Sequence, residues 1–385
     1  MTHYEIGILG NPNKQQIETL SSEVRRMVGE FGLKLEEDVR LYLAKDISSR
    51  NFKVANVAVY FGNKGGHDTD ELMELIEAKV PIIPVTQNAE GCHTLLPVQI
   101  QSLNCLFLDD DETMTKLTSA LLECLGLLHT QRRIFVSYRR KESRQAALQL
   151  HDLLSEKGFD VFLDTHDIRP GVPFQEMLWH TLCESDVMVM LDTATYFESK
   201  WTEQEFMRAR AKEIHIFRVV WPNHTPHART NLAETFYLDT DDLSDVTGPI
   251  SVDKANKITE AIEYLRSKSI AARYLSITGK LTAAAQRVGF TVEGIGAHRA
   301  VILKSEKGKR LLAYPVVGIP TALTLNDIYD KSKQRKAPVN SILVYDHVGI
   351  SDKWMNHIDW LGEHIPSIKA LKVERFAWDL AEVGY

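Results

Sequence analysis

Trp201 and Glu205 stand four residues apart in the run Ser199-Lys200-Trp201-Thr202-Glu203-Gln204-Glu205. On a helix that spacing puts indole and carboxylate on one face. A carboxylate held beside an aromatic wall is suited to steadying positive charge on a bound group. The same run has a plainer reading. Thr202-x-x-Glu205 is a capping-box pattern, in which Glu205 would only bond the backbone at its own helix start. Glu203 lies two residues from Glu205 on a different helix face and reads as solvated; Glu198 is the other nearby acid. A second group of residues closes an apolar run, Ile134-Phe135-Val136-Ser137-Tyr138, and is followed by Arg139, Arg140, Lys141 and Arg144. Arginines can grip phosphate oxygens in a bidentate manner; the alternative is a solvated helix flank. Tyr138 reads either as a stacking ring or as core.

These residues need a scaffold, and the pattern supplies one. Apolar strands alternate with helices through three segments. The first contains YEIGILG, then the turn signal Asn11-Pro12-Asn13, a helix from about 15 to 31, strand NVAVYFG, helix DTDELMELIEAK and strand VPIIPV. The second runs IFVSY, helix ESRQAALQLHDLLSEKG, DVFLD, helix FQEMLWHTLCES, DVMVML, helix WTEQEFMRARAKE, IHIFRVVW and TFYLD. Continuous apolar strands of this kind are what a parallel sheet covered on both faces requires, and its ligand crevice lies beyond the carboxyl ends of the strands. Ser137 and Tyr138 fall at such an end. The third segment follows helix NKITEAIEYLRSK and offers strands RAVILK, RLLAYPV and NSILVYD and a helix near SDKWMNHIDWLGEH, whose Trp354, Ile358, Trp360 and Leu361 suit a buried face. The domains expected are 1–129, 130–269 and 270–385.

Composition agrees. The chain has 385 residues, 44% apolar and 25% charged, which excludes a disordered or fibrous chain. Its formal charge of −7 argues against direct nucleic-acid binding, with the run Lys331 to Lys336 as the best local exception. Cys92, Cys105, Cys124 and Cys183 form no C-x-x-C pair, so neither a disulfide framework nor a zinc site is expected, and reduced, cytoplasmic thiols are. The opening MTHYEIGILGNPNK lacks a signal-peptide pattern, and no apolar stretch approaches the length of a membrane span.

In order along the chain, Phe135-Val136-Ser137-Tyr138, the loop His166-Asp167-Ile168-Arg169-Pro170-Gly171 after FDVFLD, Ser185-Asp186-Val187-Met188-Val189, and the S-x-W-x-x-x-E run ending at Glu205 resemble the TIR (Toll/interleukin-1 receptor) domain family. The resemblance covers roughly 132–268. Where the family often has an Asp shortly after Ser-Tyr, this chain has Arg139-Arg140-Lys141. The resemblance implies a flavodoxin-like parallel-sheet α/β domain, flanked here by an N-terminal Rossmann-like or TIR-like α/β domain and a small C-terminal α/β or α+β domain. In family members that are enzymes, the glutamate of W-x-x-x-E splits NAD+, a role that falls on Glu205, with Trp201 walling the pocket. No cofactor is implied; NAD+ is the substrate. Ser137, Tyr138, Arg139, Arg140, Asp164, Asp167 and Trp201 are the binding candidates, Asp164 and Asp167 as ribose contacts or as loop-ordering groups, with ordinary turn chemistry as the alternative. The loop around Pro170-Gly171 resembles the family's BB loop, a self-association surface. Multi-domain bacterial members resemble anti-phage effectors that exhaust NAD+, the flanking domains sensing a protein or nucleotide trigger. The alternative implied is a non-catalytic scaffold working through homotypic contacts.

Two further patterns stay open. Gln204 to Val219 lies without gaps over Asp70 to Val85, either as any two helix–strand units would or as a degenerate duplicate. Gly62-Asn63-Lys64-Gly65-Gly66 is either a phosphate cradle or an ordinary loop, and lacks the P-loop pattern. His215, His224, His227 and His93 show no metal spacing and read as scattered surface or core histidines.

Overall fold

The computed structural model describes residues 4–382 apart from 52–53, 66–67, 79, 109–111, 129–131, 164–173, 296, 334–339 and 366–367. It divides into two compact units, Met1–Thr130 with Ile295–Ala300, and Gln131–Gly294 with Val301–Tyr385.

The first unit runs β1 (Tyr4–Gly10), α1 (Lys14–Glu30), β2 (Val39–Leu43), β3 (Ala55–Phe61), α2 (Thr69–Glu77), β4 (Ile82–Thr86), a short α3 (Gly91–Thr94), β5 (Leu106–Phe107) and α4 (Glu112–Cys124). Its sheet has the order β2-β1-β3-β4-β5, with every pair parallel. The turn read at Asn11-Pro12-Asn13 does set the start of α1. Asn13 Oδ1 accepts the Gln16 amide and Gln16 Oε1 accepts the Asn13 amide, both at 2.8 Å, which satisfies two donors of the helix start.

The second unit begins with β6 (Arg133–Ser137), α5 (Arg140–Glu156), β7 (Asp160–Leu163), α6 (Phe174–Glu184), β8 (Val187–Asp192), α7 (Lys200–Ala211), β9 (His215–Val220) and β10 (Glu234–Tyr237). The sheet order is β10-β9-β8-β6-β7, again all parallel. Side chains of β6 and β8 alternate between two cores. Ile134, Val136, Val187 and Val189 face one, and Phe135, Met188 and Met190 the other, so both strands are apolar on both faces until their carboxyl ends.

Next comes α8 (Val252–Arg287), a single helix of 36 residues that runs unbroken through the boundary expected at 269–270. It leads into β11 (Thr291–Ile295), β12 (Val301–Lys304), β13 (Arg310–Val316), α9 (Ala322–Lys333), β14 (Asn340–Tyr345), α10 (Asp352–His364), β15 (Lys369–Lys372) and α11 (Phe376–Glu382). The third sheet, β11-β12-β13-β14-β15, is mixed: β12 and β13 pair antiparallel, β13 to β15 parallel. Helix α8 serves both sheets of this unit. Ala255, Ile258, Ile262 and Leu265 enter the core of the second sheet, while Tyr274, Ile277, Leu281 and Ala284 enter that of the third. Between these stretches its buried Arg266 holds Asp186 at 2.8 Å, and Arg273 donates to the carbonyls of Ser185 and Cys183 at 2.9 and 3.1 Å. On α10, Ile358 and Leu361 are buried as expected, but Trp360 is 51% exposed. The helix lays only a narrow stripe on its sheet, so the indole stays outside.

Candidate active site

In a sheet of this order the connection that leaves β6 runs one way to β7, and the connection that leaves β8 runs the other way to β9. The crevice lies where those connections part, beyond the carboxyl ends of β6 and β8. Ser137 and Asp192 are the last residues of those two strands, both 0% exposed.

Glu205 reaches this crevice from α7. The helix starts at Lys200, with Ser199 as its cap, so Thr202 already lies inside it. Its hydroxyl donates back to the carbonyls of Tyr196 and Ser199, and the capping box that would have occupied Glu205 is not formed. Glu205 is instead buried, 2% exposed, and its Oε2 accepts the Ser137 hydroxyl at 2.5 Å. Behind Ser137 the hydroxyl of Tyr196 lies 2.6 Å from Ser137 Oγ. Ser137 has one proton and gives it to Glu205, so Tyr196 donates to Ser137. Burial first, and then the charge of Glu205, push the Tyr196 phenol well above its usual range, which keeps it a donor. Phe197 packs edge-on against Tyr196 and Phe206 at 5.1 and 5.4 Å, fixing the turn that carries the phenol.

The other candidates are placed as follows. Tyr138 is 4% exposed and part of the core, which favours its packing reading. Arg139 caps α5 and Arg140 is exposed. Burial disfavours the Glu142 carboxylate, but hydrogen bonds from Thr193 and Thr195 and the charge of Arg139 outweigh it and hold its pKa below the usual range. Trp201 is 45% exposed, so its indole stands largely in solvent one turn from Glu205. Glu203 pairs with Arg229 at 2.7 Å, in keeping with a solvated role. Asp164 and Asp167, with the Pro170-Gly171 loop, lie outside the described residues. A cavity of about 430 Å³ sits elsewhere, lined among others by Phe206, Arg210, His215, Arg229 and Lys268.

Two groups at this edge were not singled out from sequence. Tyr196 carries no periodic signal. Asp192 carries one, an acid closing the apolar run Val-Met-Val-Met-Leu, and it is met by His224, read as a scattered histidine, at 3.1 Å.

A family model described as the TIR domain matches residues 134–247. This chain carries a TIR domain. The match spans the sheet β6 to β10, both members of the Ser137–Glu205 pair, and Asp192 with His224. No curated protein matches the sequence. Among solved structures, the chain is similar to the C-terminal domain of glucosamine-fructose-6-phosphate aminotransferase from Francisella tularensis, at 9% identity over 70% of this chain and 86% of that one, with a TM-score of 0.21. It is also similar to tagatose-6-phosphate ketose/aldose isomerase from Escherichia coli, at 12% identity over 71% and 82%, with a TM-score of 0.19. Likenesses this faint do not bear on the TIR site. Among the described residues no helix is long and apolar enough to cross a membrane, and no three His, Cys, Asp or Glu side chains are grouped to hold a metal ion.

The first unit repeats the strand order of the TIR sheet. The gapless overlay noted in the sequence joins α2–β4 to α7–β9, which occupy the same place in the two topologies. Glu71 then falls on Glu205. There β1 ends in Gly10, whose amide is held by Asp68 at 2.9 Å, and no hydroxyl stands where β6 has Ser137.

Proposed function

We propose that the TIR domain is an NAD+ glycohydrolase with Glu205 as its catalytic carboxylate. The observation that carries this is the burial of Glu205 at the carboxyl edge of the sheet, gripped by Ser137 rather than spent on its helix start. Nicotinamide in NAD+ is a cationic pyridinium and leaves as a neutral base, so its departure needs no acid. The ribosyl group passes through an oxocarbenium-like state, as in glycoside cleavage. A carboxylate held beside it can stabilise that charge and hydrogen-bond the ribose hydroxyls. Water then gives ADP-ribose; attack by the adenine of the same molecule gives a cyclic isomer. Arg139 and Arg140 are the proposed diphosphate partners, and Trp201 the aromatic flank. The domain self-associates to act, the flanking domains hold it idle until a protein or nucleotide trigger arrives, and the setting is bacterial anti-phage defence.

The competing proposal is a non-catalytic TIR scaffold. It is favoured by the exposed apolar side chains of Trp201 and Met207 on α7, 45% and 52% exposed. One experiment separates the two. Full-length protein, free and forcibly clustered, is incubated with NAD+ and nicotinamide is followed, beside a Glu205→Gln variant of equal melting temperature. The enzyme reading expects a loss of about 100-fold or more in the variant. Equal release from both proteins excludes it.

A further inference from the structure

Asp192 is the fully buried last residue of β8, the central strand of the TIR sheet. Ser137 lies opposite Met190, so Asp192 stands two residues, roughly 7 Å, further along the strand direction. It therefore borders the same crevice from its second strand. One oxygen, Oδ1, meets His224 Nε2 at 3.1 Å. The other, Oδ2, has no hydrogen-bond partner among the described residues. A buried carboxylate so poorly matched is costly unless something else is gained.

His224 is supplied by the segment that follows β9. That segment is tied to Asp192 twice: the Trp221 amide donates to the Asp192 carbonyl at 3.0 Å, and His224 meets the side chain. Trp221 Nε1 also donates to the Val246 carbonyl at 3.0 Å. The backbone turns at Asn223 through a positive φ of 57°. The imidazole keeps 15% of its side chain exposed while Asp192 has none. This is a histidine oriented by a buried acid with its far nitrogen left over, the arrangement that makes imidazole a proton acceptor. Burial raises the Asp192 pKa against the lowering pull of His224, Arg218 and His227. The charges of both Glu205 and Asp192 act on the Tyr196 phenol.

We infer that Asp192 and His224 form a second proton-handling pair of this crevice, and that His224 takes the proton from the water that captures the ribosyl cation. The inference rests on the NAD+ reading. With Nε2–H donated to Asp192, Nδ1 is the basic atom. The C1′–nitrogen bond breaks with its electron pair leaving on nicotinamide. Water oxygen then bonds C1′, its proton passes to Nδ1, and the imidazolium is balanced by Asp192 until the proton escapes to solvent. Nicotinamide, ADP-ribose and one proton are the products of NAD+ and water. Glu205 serves departure of the base; His224 serves capture by water.

The test exploits that split. A pyridine base added in excess competes with water for the ribosyl cation and has no proton to lose, so its capture needs no His224. Clustered full-length wild type, His224→Gln, Asp192→Asn and Glu205→Gln are given NAD+ with 3-acetylpyridine, and ADP-ribose and exchanged dinucleotide are separated. Glutamine at 224 can still donate to Asp192 but cannot take a proton. Expected is a shift of at least about 10-fold from ADP-ribose toward exchange in His224→Gln, the same direction in Asp192→Asn, and loss of both products in Glu205→Gln. A wild-type product ratio in a folded His224→Gln, with Glu205→Gln still dead, overturns this inference and leaves the NAD+ reading standing. Full activity of Glu205→Gln, or no NAD+ split by the clustered wild type, overturns both.

Discussion

Ser137 is the residue that grips the Glu205 carboxylate, and Tyr196 is what fixes Ser137. The spacing of Trp201 and Glu205 places both on one helix, but by itself it also fits a helix cap; the resemblance to the TIR family is what singled Glu205 out. The hydroxyls that hold it were only half legible. Ser137 could be placed at a strand end, but its bond to Glu205 crosses 68 positions and its bond to Tyr196 crosses 59. Contacts of that range are made by the sheet and leave no local period. Tyr196→Phe tests the chain of donors. It leaves Ser137 free to donate to Glu205 but removes the proton that Ser137 accepts, which costs about 1–2 kcal/mol of stability. If the donor chain matters to chemistry, kcat for NAD+ falls while KM moves little. The pH dependence gives a second check. The folded state holds the phenol's proton well above the ordinary value of 10.0, so above pH 10 the unfolded chain binds fewer protons than the folded one. Stability contributed by Tyr196 is therefore complete below pH 10 and is lost as pH rises further. Tyr42, raised by burial to about 12, adds to the same decline. Melting temperatures measured upward from pH 9 should fall less steeply in Tyr196→Phe, and an unchanged slope would refute the assignment of the proton.

At the scale of elements, most strands of the two parallel sheets were readable because they are apolar on both faces, whereas β2 carries Arg40 among its apolar residues, β5 is two residues long, and α8 was read only as far as Lys268. A helix that buries one face in the second sheet and a different face in the third has no single apolar stripe, so its pattern dissolves past Lys268 even though the helix goes on. The same sharing joins α6 to the connection after β14. Gly349 has a φ of +77°, and a Cβ placed there would meet Cys183 Sγ at 2.7 Å; that sulfur already contacts the Gly349 carbonyl at 3.2 Å. Gly349→Ala therefore carries two costs, a backbone that an L side chain resists and a clash with buried sulfur, together about 1–3 kcal/mol. Cys183→Ala removes the clash alone. In a double-mutant cycle by urea denaturation, Cys183→Ala should recover part of the loss caused by Gly349→Ala. Strict additivity of the two changes would show that α6 and this connection do not press on one another.

The chain as a whole uses one topology twice and adds a third, mixed sheet to the TIR domain. In the second unit that sheet and the TIR helices share buried polar groups. Lys212, the C-cap of α7, donates to the Asp346 carbonyl at 2.7 Å, and burial lowers its pKa. His180 of α6 stacks on Trp354 of α10 with ring centroids 4.8 Å apart. Such a joint has a consequence for acid stability. Burial first, and then the charge of Arg133, lower the His180 pKa from 6.5 to about 4; the Glu184 carboxylate near it is already paired with Arg133. Between those two values the unfolded chain binds a proton that the folded chain refuses. Stability contributed by neutral His180 is thus whole above pH 6.5 and drains away as pH falls toward 4. Allowing for its partial exposure, the loss is on the order of 1–2 kcal/mol. His180→Phe keeps a flat ring against Trp354 and has no proton to take up. The difference in melting temperature between pH 7 and pH 5 should therefore shrink by a few degrees in the variant. If the gap is as wide as in the wild type, the joint is not where acid acts, and the stack is a contact without electrostatic weight.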